Sequence, residues 1–315
     1  MAHDIVSESP QRLLDRILGA YLGLAIGDAL GATVEFMTPR EIAHRFAREG
    51  GVHRNIIGEG WLKLVPGQVT DDTTMSLALG EALLRGEHSG RPFDTVLIAD
   101  AFVAWWRGKP VDCGNTCRRG ILRYLHDGSL QGPQSEGEGG NGALMRNLPV
   151  AIATLGDEVA FERVSIAQAR ITHNHPLSDA AMLGIGRLLR AILAGAESQA
   201  IDGFIDGWVR EWPKFAFRPY PGRASGYVVD TIQTVLHVFT GSDDFEEAMV
   251  TAVNLGDDAD TNGAIVGMLA GARCGARALP SRWLKKLDRE VVRAVTDQAS
   301  SLLALALGRA CRAPL

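Results

Sequence analysis

An all-α fold is what this sequence predicts, as a single compact multi-helix domain over residues 10-310 after a short tail, 1-9. Apolar residues recur at three- and four-residue spacing along most of the chain, and the alternation expected of half-buried strands is scarce. The connections are rich in glycine and proline, as in "EGEGGNG" and "FRPYPGRASG", and no low-complexity linker divides the chain. At 315 residues the chain is long enough to bury a substantial core.

The first candidate helix, 10-31, carries glycine every four residues at Gly19, Gly23, Gly27 and Gly31. Glycine costs a helix about 1 kcal/mol per position relative to alanine, so a whole face of it requires close backbone approach in return. A helix over 39-48 follows. The next, 70-86, opens on "GQVTDDTTMSLALG", where Thr70 can cap the helix and Asp71 and Asp72 occupy its first turn. By itself this reads as capping. After a helix at 93-107, "PVDCGNTCRRGI" puts Asp112 and Asn115 at the start of 114-126, where either can cap.

"EGEGGNGALMR" leads into 142-154. Its GxGxxG spacing is not a dinucleotide-binding fingerprint, because no strand precedes it. A glycine-rich loop entering a helix still presents backbone N-H groups to a diphosphate, and Arg146 falls one turn inside. A surface loop is the plain alternative. Following 159-171, "ITHNHPLSDAA" sets His173 and His175 ahead of 177-195, without the ββα context of a nuclease. After 200-211, Tyr227 opens 226-240 and can stack on a base or enter the core.

Beyond 244-254, "NLGDDADTNGAIVGMLAG" repeats the acidic pattern with Asp257, Asp258, Asp260 and Thr261 just ahead of 261-275, and 282-308 closes the chain. A second glycine stripe, Gly263, Gly267, Gly271 and Gly275, runs along this helix. If the fold joins the two distant Thr/Asp clusters, their carboxylates share one site and need protons or cations to coexist. All the donors are hard oxygens, which suits Mg²⁺ or Mn²⁺ rather than zinc. The repetition turns the reading from capping to a two-metal site.

Composition excludes other classes. The net charge is -5 with a pI near 5.9, and the basic residues are dispersed, against a general nucleic-acid binder. Cys113, Cys117, Cys274 and Cys311 form no CxxC pair, which suits reduced thiols in a cytoplasm. The apolar run Ile17 to Ile26 is too short for a membrane span and lacks the flanks of a signal peptide.

Taken together, "GLAIGDALGATVEFM", "VTDDTTM", "VDCGNTCRRGI", "GGNGALMR", "ITHNHP", "GYVVDTIQTVLH" and "GDDADTNGAIVGMLAG" resemble the ADP-ribosylglycohydrolase family in order and spacing across nearly the whole chain. The segments between the motifs look most like the bacterial branch that removes ADP-ribose from an arginine of the nitrogenase iron protein. The resemblance implies an all-α fold with two divalent cations, manganese first and magnesium second. Thr70, Asp71, Asp72, Asp258, Asp260 and Thr261 match the metal ligands. Asp257 stands where relatives often have glycine and is left out. Asp112 and Asn115 match positions near the scissile ribose, and Asp112 is the candidate for proton transfer. The turn Gly140, Asn141, Gly142 matches the diphosphate loop, and Arg146 is expected to bind substrate with it. His173 and Tyr227 match the nucleotide side, and Glu35 matches an acidic position at the metal cleft.

The resemblance further implies ADP-ribosylated nitrogenase iron protein as substrate, and a PII-type signalling protein and the ammonium channel as partners that draw a monomeric cytoplasmic enzyme indirectly to the inner membrane. Alternatives are hydrolysis of serine- or ester-linked ADP-ribose, and a non-catalytic ADP-ribose-binding regulator.

Overall fold

The computed structural model describes residues 9-310, so most of the expected tail and Cys311 lie outside the described residues. The helices run α1 (Pro10–Gly31), α2 (Pro39–Arg45), α3 (Asp71–His88), α4 (Thr95–Arg107), α5 (Asn115–Asp127), α6 (Gly142–Met145), α7 (Leu148–Ala153) and α8 (Glu158–Arg170). They continue as α9 (Pro176–Leu193), α10 (Ser198–Glu211), α11 (Val228–Gly241), α12 (Phe245–Asn254), α13 (Ala259–Cys274), α14 (Ser281–Leu284) and α15 (Arg289–Ala310). Among the described residues no strand forms; the bridges Glu59–Leu64 and Gly140–Tyr227 are isolated.

Two expected helices are each split. In place of 142-154 stand α6 and α7, because the helix is interrupted at Arg146 and Asn147, whose side chains turn into the interior, while Pro149 sits in the first turn of α7. In place of 282-308 stand α14 and α15. The break falls at Asp288, whose N-H donates to Gly67 O at 3.0 Å and whose carboxylate accepts from Glu290 N at 2.7 Å.

The centre of the molecule is the antiparallel pair α1 and α13, with α3, α9, α11, α12 and α15 packed on it. Every residue from Gly19 to Gly31 and from Ala259 to Ala272 is buried, as befits helices apolar on all sides. The two glycine stripes face each other: Gly19 meets Gly271, Gly23 meets Gly267 and Gly27 meets Gly263, with Gly31 against Ala259. A Cβ on Gly19, Gly23 or Gly27 would collide with the carbonyl oxygen opposite, so glycine is required for this spacing. Since the pair is antiparallel, the C-terminal end of α1 lies beside the N-terminal end of α13, where the second acidic cluster begins.

Candidate metal centre and glycine loop

α3 is fastened to that end of the pair by Asp28, a residue the sequence reading passed over. Asp28 is fully buried on α1 and accepts from Thr70 N at 2.9 Å, from Thr73 N at 3.1 Å and from Thr73 Oγ1 at 2.5 Å. It satisfies orphan donors at the α3 N-terminus that a local cap would have taken. Thr70 makes no capping bond of its own, and neither clustered aspartate is spent on the cap. Asp71 Oδ2 accepts from Gly114 N at 3.2 Å. Asp72 Oδ2 accepts from Thr70 Oγ1 at 3.4 Å and from Thr261 Oγ1 at 3.3 Å, the latter spanning the two clusters. Asp72 Oδ1 is buried with no hydrogen-bond partner.

From α13, Asp258 forms the N-cap position, and Asp260 and Thr261 lie buried in the first turn. Glu35, just beyond α1, joins them: one carboxylate oxygen from each of Glu35, Asp258 and Asp260 falls within 4.8 Å of the others. Glu35 therefore sits among the acids that can take a cation, and Trp61 Nε1 donates to its Oε2 at 2.5 Å.

Burial and mutual repulsion disfavour ionisation throughout. Glu35 is pushed up to about 8 by burial and the charges of Asp112, Asp258 and Asp71, against the stabilising bond from Trp61. Burial, then Asp112, raises Asp71 to about 7; burial raises Asp28 and Asp258 to about 6. Asp72 and Asp260 are driven well above the usual carboxylate range, first by burial and then by neighbouring acids. Among the described residues the buried Arg146 guanidinium acts on Asp71, and burial and neighbouring acids still outweigh it there. The N-termini of α3 and α13 contribute only partial positive charge. Hard-oxygen donors, an orphaned carboxylate oxygen and this crowding of acids fit divalent cations held by Asp71, Asp72, Asp258, Asp260 and the threonines beside them.

Glu35 reaches this position through a strained junction. Phe36 and Asp257 both adopt left-handed backbone, φ 61° and 55°. Phe36 N donates to Asp257 O at 2.7 Å, and Asp257 N donates to Met37 O at 2.8 Å. This two-bond clasp ties the turn after α1 to the turn before α13, and it explains why glycine suits position 257: the site demands positive φ rather than a carboxylate.

The glycine loop is pinned to the same cluster. Asn141 N donates to Gly226 O at 3.2 Å and Val228 N to Gly139 O at 3.0 Å, while Asn141 Nδ2 donates to Thr231 Oγ1 at 2.9 Å and Asp258 Oδ2 at 2.5 Å. Beneath it lies His173, buried, with Nδ1 2.8 Å from Thr172 Oγ1 and its pKa held well below the usual range by burial and by Arg146. Neutral His173 leaves no room for Cβ atoms: one on Gly142 would strike its ring and Cys117 Sγ, and one on Gly140 would lie 3.2 Å from its Nε2. His173 supports the loop from within.

Arg146 departs from its expected place against a diphosphate. It is fully buried, donating to Gln168 Oε1 at 2.8 Å, Gln168 O at 3.1 Å and Thr172 Oγ1 at 2.8 Å, with its guanidinium 4.5 Å from the centre of the Phe102 ring. The helix ends before it, so the side chain turns inward and braces the floor on which His173 and the loop rest.

Asp112 is half-buried, raised in pKa by burial, and near enough that its charge raises Glu35, Asp71 and Asp258. Asn115 is exposed at the first position of α5. Tyr227, 42% exposed, bridges to Gly140 and lies against Gly139. The structure thus gathers both Thr/Asp clusters, Glu35, Asp112 and the Asn141 loop, and sets Arg146 and His173 underneath. Trp61 and Asp28 were missed. Asp28 left a trace, a single acid inside an apolar, glycine-striped helix; Trp61 left none, because its loop is irregular.

Comparison with known proteins agrees with this architecture. A family model described as ADP-ribosylglycohydrolase matches residues 9–312. The chain is 52% identical over 292 residues to the ADP-ribosyl-(dinitrogen reductase) glycohydrolase of Rhodospirillum rubrum, covering 93% of this chain and 97% of that protein. It is 33% identical over 302 residues to the ADP-ribosylarginine hydrolase Tri1 of Pseudomonas putida, covering 89% of this chain and 76% of that one. A solved structure titled ADP-ribosylglycohydrolase-related protein complex superimposes with a TM-score of 0.81 at 34% identity, over 94% of this chain and 99% of its own. Matched along nearly its whole length by the family model and by these relatives, the chain belongs to the ADP-ribosylglycohydrolase family.

Proposed function

We propose that the protein hydrolyses the N-glycosidic bond between an arginine guanidinium and C1 of ADP-ribose, with the ADP-ribosylated nitrogenase iron protein as substrate, releasing ADP-ribose and unmodified arginine. The observation that carries the reading is the meeting of two Thr/Asp clusters almost two hundred positions apart, joined by the Thr261–Asp72 bond around an orphaned carboxylate oxygen. The Rhodospirillum and Pseudomonas relatives, named for hydrolysis of ADP-ribosylated dinitrogen reductase and ADP-ribosylarginine, support the substrate class.

Cleavage of such a bond passes through an oxocarbenium-like state and requires a water and a proton donor or acceptor. Manganese or magnesium bound by Asp71, Asp72, Asp258, Asp260 and the adjacent threonines would fix the ribose hydroxyls and make a water more acidic. Asp112, whose charge reaches Glu35, Asp71 and Asp258 and whose carboxyl is raised in pKa by burial, is the group assigned to proton transfer. The loop at Gly140, Asn141 and Gly142 carries the diphosphate, and Asn141 couples its position to Asp258. Tyr227 offers a ring face to the base, and Asn115 lies within reach of the ribose side.

The same reading extends to recruitment: a PII-type protein and the ammonium channel would hold a cytoplasmic monomer at the inner membrane. No helix among the described residues is long and apolar enough to cross a membrane, so attachment would be through partners. Metal analysis paired with release of ADP-ribose from modified iron protein tests the core of the reading. Preferential turnover of serine- or ester-linked ADP-ribose would overturn the arginine assignment, and tight ADP-ribose binding without turnover would make the protein a regulator.

A further inference from the structure

Phe36 and Trp61 form an exposed aromatic ledge against the acidic centre. Their ring centroids are 5.3 Å apart, and they are 62% and 52% exposed. Trp61 is fastened to the site by its hydrogen bond to Glu35, and Phe36 follows Glu35 in the chain. The loop that presents Trp61 is closed by the Glu59–Leu64 bridge and held in left-handed geometry at Gly58, Glu59, Gly60 and Lys63; it also exposes Val65, at 63%. Exposed large apolar side chains gathered at one place mark an interaction surface more often than chance allows.

The backbone sharpens the point. A bulky residue at φ 61° is strained by roughly 1–2 kcal/mol, and the clasp with Asp257 that maintains this strain also holds Glu35 in place and leaves the Phe36 ring exposed. The nucleotide end of the site already has its own exposed ring, Tyr227, on the loop pinned to Asp258. An ADP-ribosyl group linked to a protein must be delivered by that protein's surface, and the ledge, continuous with Glu35, offers it a paired aromatic surface, where the Asp112 side exposes the single aliphatic Val111.

We propose that the Phe36–Trp61 ledge docks the polypeptide surface surrounding the modified arginine, so that these side chains set the preference for a macromolecular substrate over small ADP-ribosyl-arginine. The inference rests on the arginine-hydrolase reading above. Truncating a central aromatic of a protein contact weakens association strongly, while a small substrate that ends at the ribose side of the cleft makes no use of it.

The test is Phe36→Asn, since asparagine tolerates left-handed backbone and keeps the main-chain clasp. With the manganese-loaded full-length protein, kcat/KM on ADP-ribosylated iron protein should fall about 10- to 30-fold, mostly through KM, while turnover of free ADP-ribosyl-arginine and affinity for ADP-ribose stay within about twofold. Phe36→Trp should restore the preference. Equal loss on both substrates, or no loss on either, overturns the ledge as a docking surface; weakened ADP-ribose binding reassigns it to the nucleotide. If Phe36→Asn fails to fold, seen as lost small-substrate turnover and an early thermal transition, Val65→Ser on the same loop reads the same ratio with the same criteria. Failure of the wild type to cleave either arginine substrate is a separate result that removes the activity reading and the ledge with it.

Discussion

Replacing Gly23 by alanine adds one methyl to the centre of the α1–α13 seam. Elsewhere in a helix the exchange stabilises by about 1 kcal/mol, because alanine restricts the unfolded chain and favours helix. At Gly23 the new Cβ would overlap the carbonyl of Gly267, with the Phe245 ring 3.3 Å away. Carbon contacts are comfortable only near 3.5 Å, so the two backbones would have to part by more than ~1 Å along a seam that has no side chains to adjust. Overpacking of that kind costs about 3 kcal/mol, at the upper end of the usual range, leaving a net loss of about 2 kcal/mol. For a chain of this size that lowers the melting temperature by on the order of 4 °C. Gly203 on α10 supplies the internal control: it is exposed, and its Cβ would meet nothing within 4 Å. Calorimetry on Gly23→Ala and Gly203→Ala should give shifts of opposite sign. If both raise the melting temperature, the seam is not closed backbone against backbone and the reasoning fails.

Three further outcomes follow from the site. In the metal-free protein, Asp28, Asp258, Asp71 and Glu35 hold protons at pKa values of about 6, 6, 7 and 8 when folded, against 3.8 for aspartate and 4.5 for glutamate in the unfolded chain, so the folded state binds more protons than the unfolded one across that window. Stability should thus be greatest below about pH 4 in this respect and decline as pH rises towards 8, by about 1.4 kcal/mol per pH unit for each proton difference, and added Mn²⁺ should flatten the slope; a chelated sample that gains stability over the same range would contradict the assignment. Asp260→Asn should lower metal content and ADP-ribose affinity together, whereas Asp112→Asn should keep both and slow single-turnover release by roughly 10²- to 10⁴-fold; metal loss in the latter would move Asp112 into the coordination sphere. Asp257→Gly should leave activity intact and stability equal or higher, while Asp257→Val should destabilise by about 1–2 kcal/mol, measured by chemical denaturation; the same effect from both would mean that the carboxylate, not the backbone, is what position 257 supplies.

Much of this was legible in the sequence because the signals are periodic. Helices such as α3 and α9 follow from apolar spacing with acidic or proline starts, and the matched glycine stripes predicted burial of Gly23 and Gly267. The pairing of the Thr/Asp clusters was readable for the same reason, as one pattern occurring twice. What escaped notice depends on direction rather than on pattern. Nothing local distinguishes an arginine that faces a ligand from one that turns inward at a helix end, and Arg146 did the second. Asp28 works at the N-terminus of a helix forty residues further on, a role that exists only once α1 and α3 are packed. Glu35 could be placed near the cleft, but its distance from Asp258 and Asp260 is set by left-handed backbone at Phe36 and Asp257, a conformation aspartate tolerates but that propensity argues against for phenylalanine.

The stripes on α1 and α13 also pose a problem of alignment. Because glycine recurs every fourth residue on both, one helix slid along the other by a single turn still sets glycine against glycine over most of the contact. Such a slip moves Asp258 and Asp260 about 6 Å relative to Glu35 and Asp28, far outside any shared coordination. The seam is therefore a ruler with identical divisions, and errors on it come in whole steps. The origin is marked elsewhere, by the reciprocal bonds between Phe36, Met37 and Asp257 and by α3, which is bound to α1 through Asp28 and to α13 through the Thr261–Asp72 bond, a set that forms together in one alignment alone. Chains trapped one step away would bury nearly the same apolar surface yet bind no metal, so a refolded preparation should divide into active and inactive molecules rather than into molecules of graded activity.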